Sequence, residues 1–202
     1  MPIKWVETTP FAWQDVNGHD QLAAKVVDDR VLRWSFGLVA PFTVYERPPA
    51  SQNGAWLMPA LYVSLAVLLF TVIFWPVTAI VRWLFGQPLE LPYPSMRAYR
   101  AGKIGALLIV LGLVAWTMSV VSMFSDLNKT TAAFDPVLRF DQVFGFIAFI
   151  GGFLLTLWNL KAVWTGYRRW PAKLWSVALV FSAFIVLWIA FVFHLISWGV
   201  NY

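Results

Sequence analysis

Over positions 19–36, HDQLAAKVVDDRVLRWSF, apolar and polar residues alternate. Leu22, Ala24 and Val26 interleave with Ala23, Lys25 and Val27, and Leu32, Trp34 and Phe36 interleave with Val31, Arg33 and Ser35. A period of two predicts strands. Setting Val26 opposite Leu32 and Ala24 opposite Trp34 brings both apolar sets to one face. Asp28, Asp29 and Arg30 then form a three-residue turn, where aspartate tolerates the left-handed conformation. Further short strands are expected at 42–46 and at 11–16, the latter ahead of the turn signal Asn17-Gly18. The stretch ERPPASQNG, 46–54, reads as a linker.

From position 55 the pattern changes from alternation to long apolar runs. Four of them, 55–81, 104–124, 143–160 and 174–199, contain no ionised side chain, and a bilayer-spanning helix needs about 20 such residues. The spans are expected at about 55–83, 102–124, 142–162 and 173–199. The fold class that follows is mainly α and integral to a membrane: a four-helix transmembrane bundle over 55–202, preceded by a small extracytoplasmic β segment over 1–47 and a linker over 48–54. Pro59 falls in a first turn, where a missing N–H is harmless, whereas Pro76 is expected to kink the first helix. Trp56, Trp75, Trp83, Trp170, Trp175, Trp198 and Tyr202 fall near the span ends, as in the aromatic belt at lipid headgroups.

Each run also carries small or weakly polar residues seven positions apart: Ser64, Thr71 and Thr78; Gly105, Gly112 and Ser119; Gly145, Gly152 and Asn159; Ser176, Ala183, Ala190 and Ser197. Small residues let helix backbones approach closely in lipid, and a seven-residue repeat keeps such a seam facing its partner in a left-handed bundle. Leu155 lies off these seams and is expected to face lipid.

Composition agrees: 60% of the 202 residues are hydrophobic and 12% charged, against roughly 25% charged in a soluble domain. Eleven of the 25 charged residues lie in the first 50 positions. The net charge of +5 is no sign of a nucleic-acid partner, because past position 50 the basic residues gather in two short segments between apolar runs. Arg82, Arg97, Arg100 and Lys103 occupy the first, and Lys161, Arg168, Arg169 and Lys173 the second. The segment 125–142 has Lys129 and Arg139 against three aspartates. By the positive-inside rule the two basic segments are cytoplasmic. The β segment and the C-terminus are then both outside, periplasmic in a bacterial inner membrane. There is no cysteine for a disulfide or a thiolate.

The chain offers little catalytic machinery. No serine has lysine three positions on: Ser35, Ser51, Ser95 and Ser125, for instance, are followed there by Leu38, Gly54, Ala98 and Asn128. Lys129-Thr130-Thr131 looks like Lys-Thr-Gly but lacks the glycine and a strand pattern. His19, next to Asp20, sits in a turn where polar residues are ordinary. His194, expected in the last two turns of the fourth helix, and Asn159 are read as hydrogen-bonding positions between helices or at headgroups. No cofactor or metal is expected.

Three or four short strands bury too little to be independently stable, and about 50 polar residues ahead of the first span have no signal peptide to lead them out. Both difficulties vanish if Met1 is not the true start of the polypeptide. The phrases FAWQDVNGHDQLAAKVVDDRVLRWSF, VAPFTVYERPPAS, AWLMPALYVSLAVLLFTVIFWPV and the closing FHLISWGVNY resemble the C-terminal region of bacterial membrane-anchored serine hydrolases of the β-lactamase and penicillin-binding-protein-like family. The resemblance implies an exported catalytic domain upstream, with this chain as its non-catalytic anchor in the lipid bilayer. The face made by Leu22, Val26, Leu32, Trp34 and Phe36 is then expected to dock on that domain. A small stand-alone transporter, channel or complex subunit is the alternative.

Overall fold

The computed structural model describes residues 4–37, 44–87, 91–126, 134–166 and 168–196. They fall into two compact units, Met1–Asn53 and Gly54–Tyr202.

The first unit is an antiparallel meander of five strands, β1 (Trp5–Thr9), β2 (Ala12–Asp15), β3 (Gln21–Val27), β4 (Arg30–Phe36) and β5 (Val44–Glu46), paired in chain order. β2 and β5 lie within the two further strands expected, with Phe42 and Thr43 outside the described residues. β1 has no period-two signal of its own, and it extends the sheet beyond expectation. At the Asn17-Gly18 turn the Asp15 carboxylate accepts the Asn17 backbone N–H at 3.0 Å, the short-range bond that makes aspartate a turn former.

The central hairpin differs from expectation in its turn. Val27 pairs with Arg30, so only Asp28 and Asp29 are left in the loop, with φ of 50° and 57°. Positive φ at both positions is the requirement of a type I′ turn, whose twist matches that of the strands it joins better than a looser loop does. Closing the turn by one residue would push the apolar sets out of register. A bulge at Leu32 absorbs the slip: Val26 pairs with Val31, while Lys25 pairs with Arg33 and Ala24 with Trp34. The expected Val26–Leu32 pair is thus replaced, and the pairing on the Trp34 side is as expected.

The second unit is an up-and-down bundle. Helix α1 (Gly54–Leu84) runs without a break through Pro59 and Pro76, and is followed by α2 (Tyr93–Ser125). The third transverse element is composite: α3 (Asp135–Phe146), a π-helical turn over Ile147–Gly151, and α4 (Gly152–Thr165). Helix α5 (Trp170–Val192) closes the bundle. These make four helical elements long and apolar enough to cross a membrane, each overrunning the expected span at its first end. The fourth stops earlier than position 199. His194 adopts φ 57°, its N–H donates to the Phe191 carbonyl and the Leu195 N–H donates to the Ala190 carbonyl. That is a Schellman stop with histidine where glycine is usual, and Leu195 packs back onto the core as such stops require. His194 therefore lies in the capping turn and not in the last helical turns.

The core lies midway along the bundle, where Leu68 of α1, Ala106 and Ile109 of α2, Phe149 of the π turn and Ala183, Val186 and Ala190 of α5 are all but inaccessible. Small residues set the helix spacing. A Cβ on Gly105 would stand 2.7 Å from the Gly152 carbonyl oxygen, and one on Gly152 would stand 2.8 Å from that of Gly105. No side chain fits at either position, because the obstacle is the facing backbone. Gly112 lies against Phe149 and Ala148, and Gly145 against the Trp116 indole. Ser64, Thr71, Gly105, Gly112, Gly145, Gly152, Ala183 and Ala190 are all buried, as are Ser119, Asn159 and Ser176, whereas Thr78 is half-buried and Ser197 lies outside the described residues. Leu155 is half-buried, its Cβ 3.0 Å from where a Gly105 Cβ would be. It faces α2 and not lipid; its neighbour Leu154, 57% exposed, points outward. Outward faces elsewhere carry large apolar residues such as Val63, Ile73, Met118 and Phe181, the reverse of a bundle meant for water.

Candidate functional site

At one end of the bundle, where α1 and α4 finish and α2 and α5 begin, a cavity of about 270 Å³ opens among the helices. Its floor is made by α4 and α2. Asn159 leans on Gly102, where a Cβ would come within 2.7 Å of the Asn159 Cβ, so the missing side chain of Gly102 is what seats the amide. Asn159 is 8% exposed, and its Oδ1 has no hydrogen-bond partner. Two other buried polar atoms are also unpartnered, Ser64 Oγ and Trp116 Nε1, but neither borders this space. An unpartnered buried acceptor costs about 1–3 kcal/mol.

The walls come from α1 and α5. Phe70, Phe74 and Leu179 are apolar, and Trp175 donates its indole N–H to the Thr71 hydroxyl at 3.2 Å. Thr71 in turn donates to the Val67 carbonyl at 2.8 Å, so this pair is satisfied and rigid. Toward the bundle end, Trp75, Thr78, Tyr99 and Lys103 are shared with a second space of about 570 Å³, which is bordered by Arg82 and Arg100. The two spaces are therefore neighbours. The Lys103 ammonium lies 4.2 Å from the Tyr99 ring centroid and 5.8 Å from that of Trp75, and the Arg168 guanidinium lies 5.7 Å from the Tyr99 ring. Both Arg82 and Lys103 act on the Tyr99 hydroxyl. Among the described residues bordering either volume none is acidic. The arrangement is a cationic, aromatic-lined space beside a mostly apolar cavity that has Asn159 in its lining.

The opposite end has a different polar feature. Asp141, 3% exposed, accepts a hydrogen bond from Ser119 across the interface of α3 and α2, beside buried Gln142. This pair continues the glycine seam, because Asp141 lies four residues before Gly145 and Ser119 seven after Gly112. Extending the small-residue repeat by one helical turn past the apolar run would have found it.

The sites named from sequence are scattered. His19 is exposed at the rim of the turn after β2, with Asp20 half-buried next to it; His194 caps α5, and Asn159 borders the cavity together with Thr71 of the small-residue seam. Lys129-Thr130-Thr131, Trp198 and Tyr202 lie outside the described residues. Leu22, Val26 and Phe36 of the expected docking face are half-buried, and Leu32 and Trp34 are 47% and 41% exposed. Trp34 stacks on its cross-strand partner Tyr45, with centroids 4.4 Å apart, and Phe36 meets Trp5 at 5.5 Å. Among the described residues of this unit none is fully buried. The ion pair of Arg33 with Glu46, at 2.6 Å, has both side chains more than half exposed and adds little.

Compared with known proteins, the chain matches no family model, no curated protein and no solved structure.

Proposed function

We propose that the chain is a membrane-anchoring and presentation module, non-catalytic in itself, with four helices in a bacterial inner membrane and the sheet held outside it to dock on an exported serine hydrolase domain of the same polypeptide. The observation that carries this reading is the contrast in burial. The helical unit has a closed core and an apolar outer surface suited to lipid, while the sheet has apolar side chains on show and no buried residue among those described. A sheet in that condition gains its stability from something laid against it. The identity of the partner rests on the resemblance of the quoted phrases to the anchored hydrolases. The orientation rests on Arg82, Arg100, Lys103, Arg168 and Lys173 gathering at one end of the bundle, which by the positive-inside rule supports reading that end as cytoplasmic.

The test is to raise an antibody against the chain and probe membranes of its source. A carbonate-resistant band well above 23.0 kDa that reacts with a fluorophosphonate or β-lactam probe is expected, whereas the 202-residue chain expressed alone stays unlabelled. Labelling of the isolated chain, abolished by replacing one of its own serines, would overturn the reading. So would a native band at 23 kDa with no hydrolase attached.

A further inference from the structure

We infer that the space of about 570 Å³ between the end of α1 and the start of α2 is a binding site for the phosphate headgroup of an anionic phospholipid. Three cationic side chains border it, Arg82 from α1 and Arg100 and Lys103 from α2. Arg82 and Lys103 are half-buried and both act on the Tyr99 hydroxyl, so two positive charges on different helices converge on one atom. Among the described residues bordering the space none is acidic. Like charges brought together repel, the more so away from bulk water, and an anion seated between them offsets the repulsion. Phosphate oxygens suit a guanidinium and an ammonium that meet in this way.

The position of these cations along the chain points to a lipid as the source of the phosphate. Arg82 directly follows the apolar run 55–81, and Lys103 directly precedes the run 104–124. In a bilayer both stand at the level where hydrocarbon ends and headgroups begin, which is where lipid phosphates lie. Gly86, at φ 60°, ends α1, and the Gln87 N–H donates back to the Arg82 carbonyl at 3.0 Å; this stop keeps Gln87 at the border of the same space. Trp83, also on the border and 80% exposed, offers a lipid an amphipathic surface. A zwitterionic headgroup fits less well. Its ammonium meets no carboxylate among the described lining, and the aromatic faces that could hold it are engaged: Lys103 lies 4.2 Å from the Tyr99 ring centroid and 5.8 Å from that of Trp75, and Arg168 lies 5.7 Å from Tyr99. The inference rests on the part of the reading above that puts the bundle in a bilayer, and it is independent of what the sheet docks on.

The full chain is reconstituted in nanodiscs of phosphatidylcholine and phosphatidylglycerol in equal parts, and the lipids it retains are counted by native mass spectrometry. Phosphatidylglycerol is expected to be retained about tenfold over phosphatidylcholine. Arg100→Gln combined with Lys103→Gln should abolish that preference. Arg97→Gln combined with Arg169→Gln removes the same charge from exposed positions at the same end of the bundle, outside the lining, and should leave the preference within about twofold of the unaltered chain. Equal retention of the two lipids overturns the inference. So do equal losses in the two double variants, which would make the attraction a property of the whole basic end. Displacement of phosphatidylglycerol by an excess of inorganic phosphate or glycerol phosphate would make the ligand a soluble anion and overturn the lipid assignment. If the first variant fails to fold, the lipid comparison and the phosphate competition on the unaltered chain decide alone. A chain that does not enter nanodiscs sinks the membrane reading together with this inference, whereas one that enters and shows no preference sinks the inference only.

Discussion

The two units of this chain are built on opposite terms. In the sheet every strand is paired, and yet the apolar side chains of Val31, Leu32 and Trp34 are 41% exposed or more. In the bundle, residues as unlike as Leu68, Ala106, Thr156 and Ala190 reach complete burial, and the helices achieve it by removing side chains where backbones meet, at Gly105 and Gly152. Hydrogen-bonded ladders define the sheet without stabilising it much, because each bond made is one lost to water. Close packing supplies what the ladders do not. A unit with the first and not the second leaves apolar surface uncovered, which the proposed docking would cover, whereas a unit with both has a core of its own.

The largest expected effect breaks the bundle side of this contrast. Gly152→Leu would drive a side chain into the Gly105 carbonyl and Ile109, and since backbone cannot step aside, a loss of about 3 kcal/mol or more is expected in a denaturant titration in mixed micelles. Leu154→Ala, on the outward face of the same helix, should stay within about 0.5 kcal/mol. Equal losses at the two sites would mean that the glycine seam is not the packing surface.

Next comes the buried pair at the other end. Ser119→Ala strips Asp141 of its hydroxyl donor, with a loss of about 2 kcal/mol by the same titration. Ser119→Ala combined with Asp141→Leu, which removes both polar partners, should recover most of it. A double variant no better than the single one would place the role of Asp141 elsewhere.

On the sheet side the effects are smaller and confined. Asp29→Val puts a β-branched residue at φ 57° and should cost the hairpin about 1–2 kcal/mol, seen as faster amide exchange in β3 and β4 with the helices unchanged. Trp34→Asp removes the stack on Tyr45, worth roughly 1 kcal/mol. It should loosen a docked domain more than it disturbs either unit of this chain. Loss of helical stability from either substitution would show the units to be energetically joined.

Much of this was legible in the sequence, for physical reasons that also explain the rest. Long apolar runs and a seven-residue spacing of Gly and Ser are strong signals, and the four helices long and apolar enough to cross a membrane and the burial of Gly105, Gly112 and Gly152 follow from them. The turn was misjudged by one residue because alternation fixes faces and not bulges; Leu32 could be slipped without moving Trp34. β1 was invisible because WVETT has little alternation and takes its place by pairing with β2. Leu155 was misplaced because a stripe of glycines does not reveal how wide the interface beside it is. In the candidate site, the sequence shows Asn159 as a lone amide in an apolar run, but it shows Arg82, Arg100 and Lys103 only as loop charge, because residues on different helices meet only once the helices have been packed.

The contrast between the units is tested most directly by hydrogen exchange on the full chain in nanodiscs, resolved to single amides. Amides of α2 and α4 around Gly105 and Gly152 are expected to exchange only through global unfolding, and those of β3 and β4 to exchange through local opening, orders of magnitude faster. If the proposed exported domain precedes this chain, the same measurement on that longer polypeptide should show slower sheet amides and unchanged helical ones. Sheet amides in the isolated chain as protected as those of the glycine seam would contradict the reading, because the sheet would then need no partner to complete it.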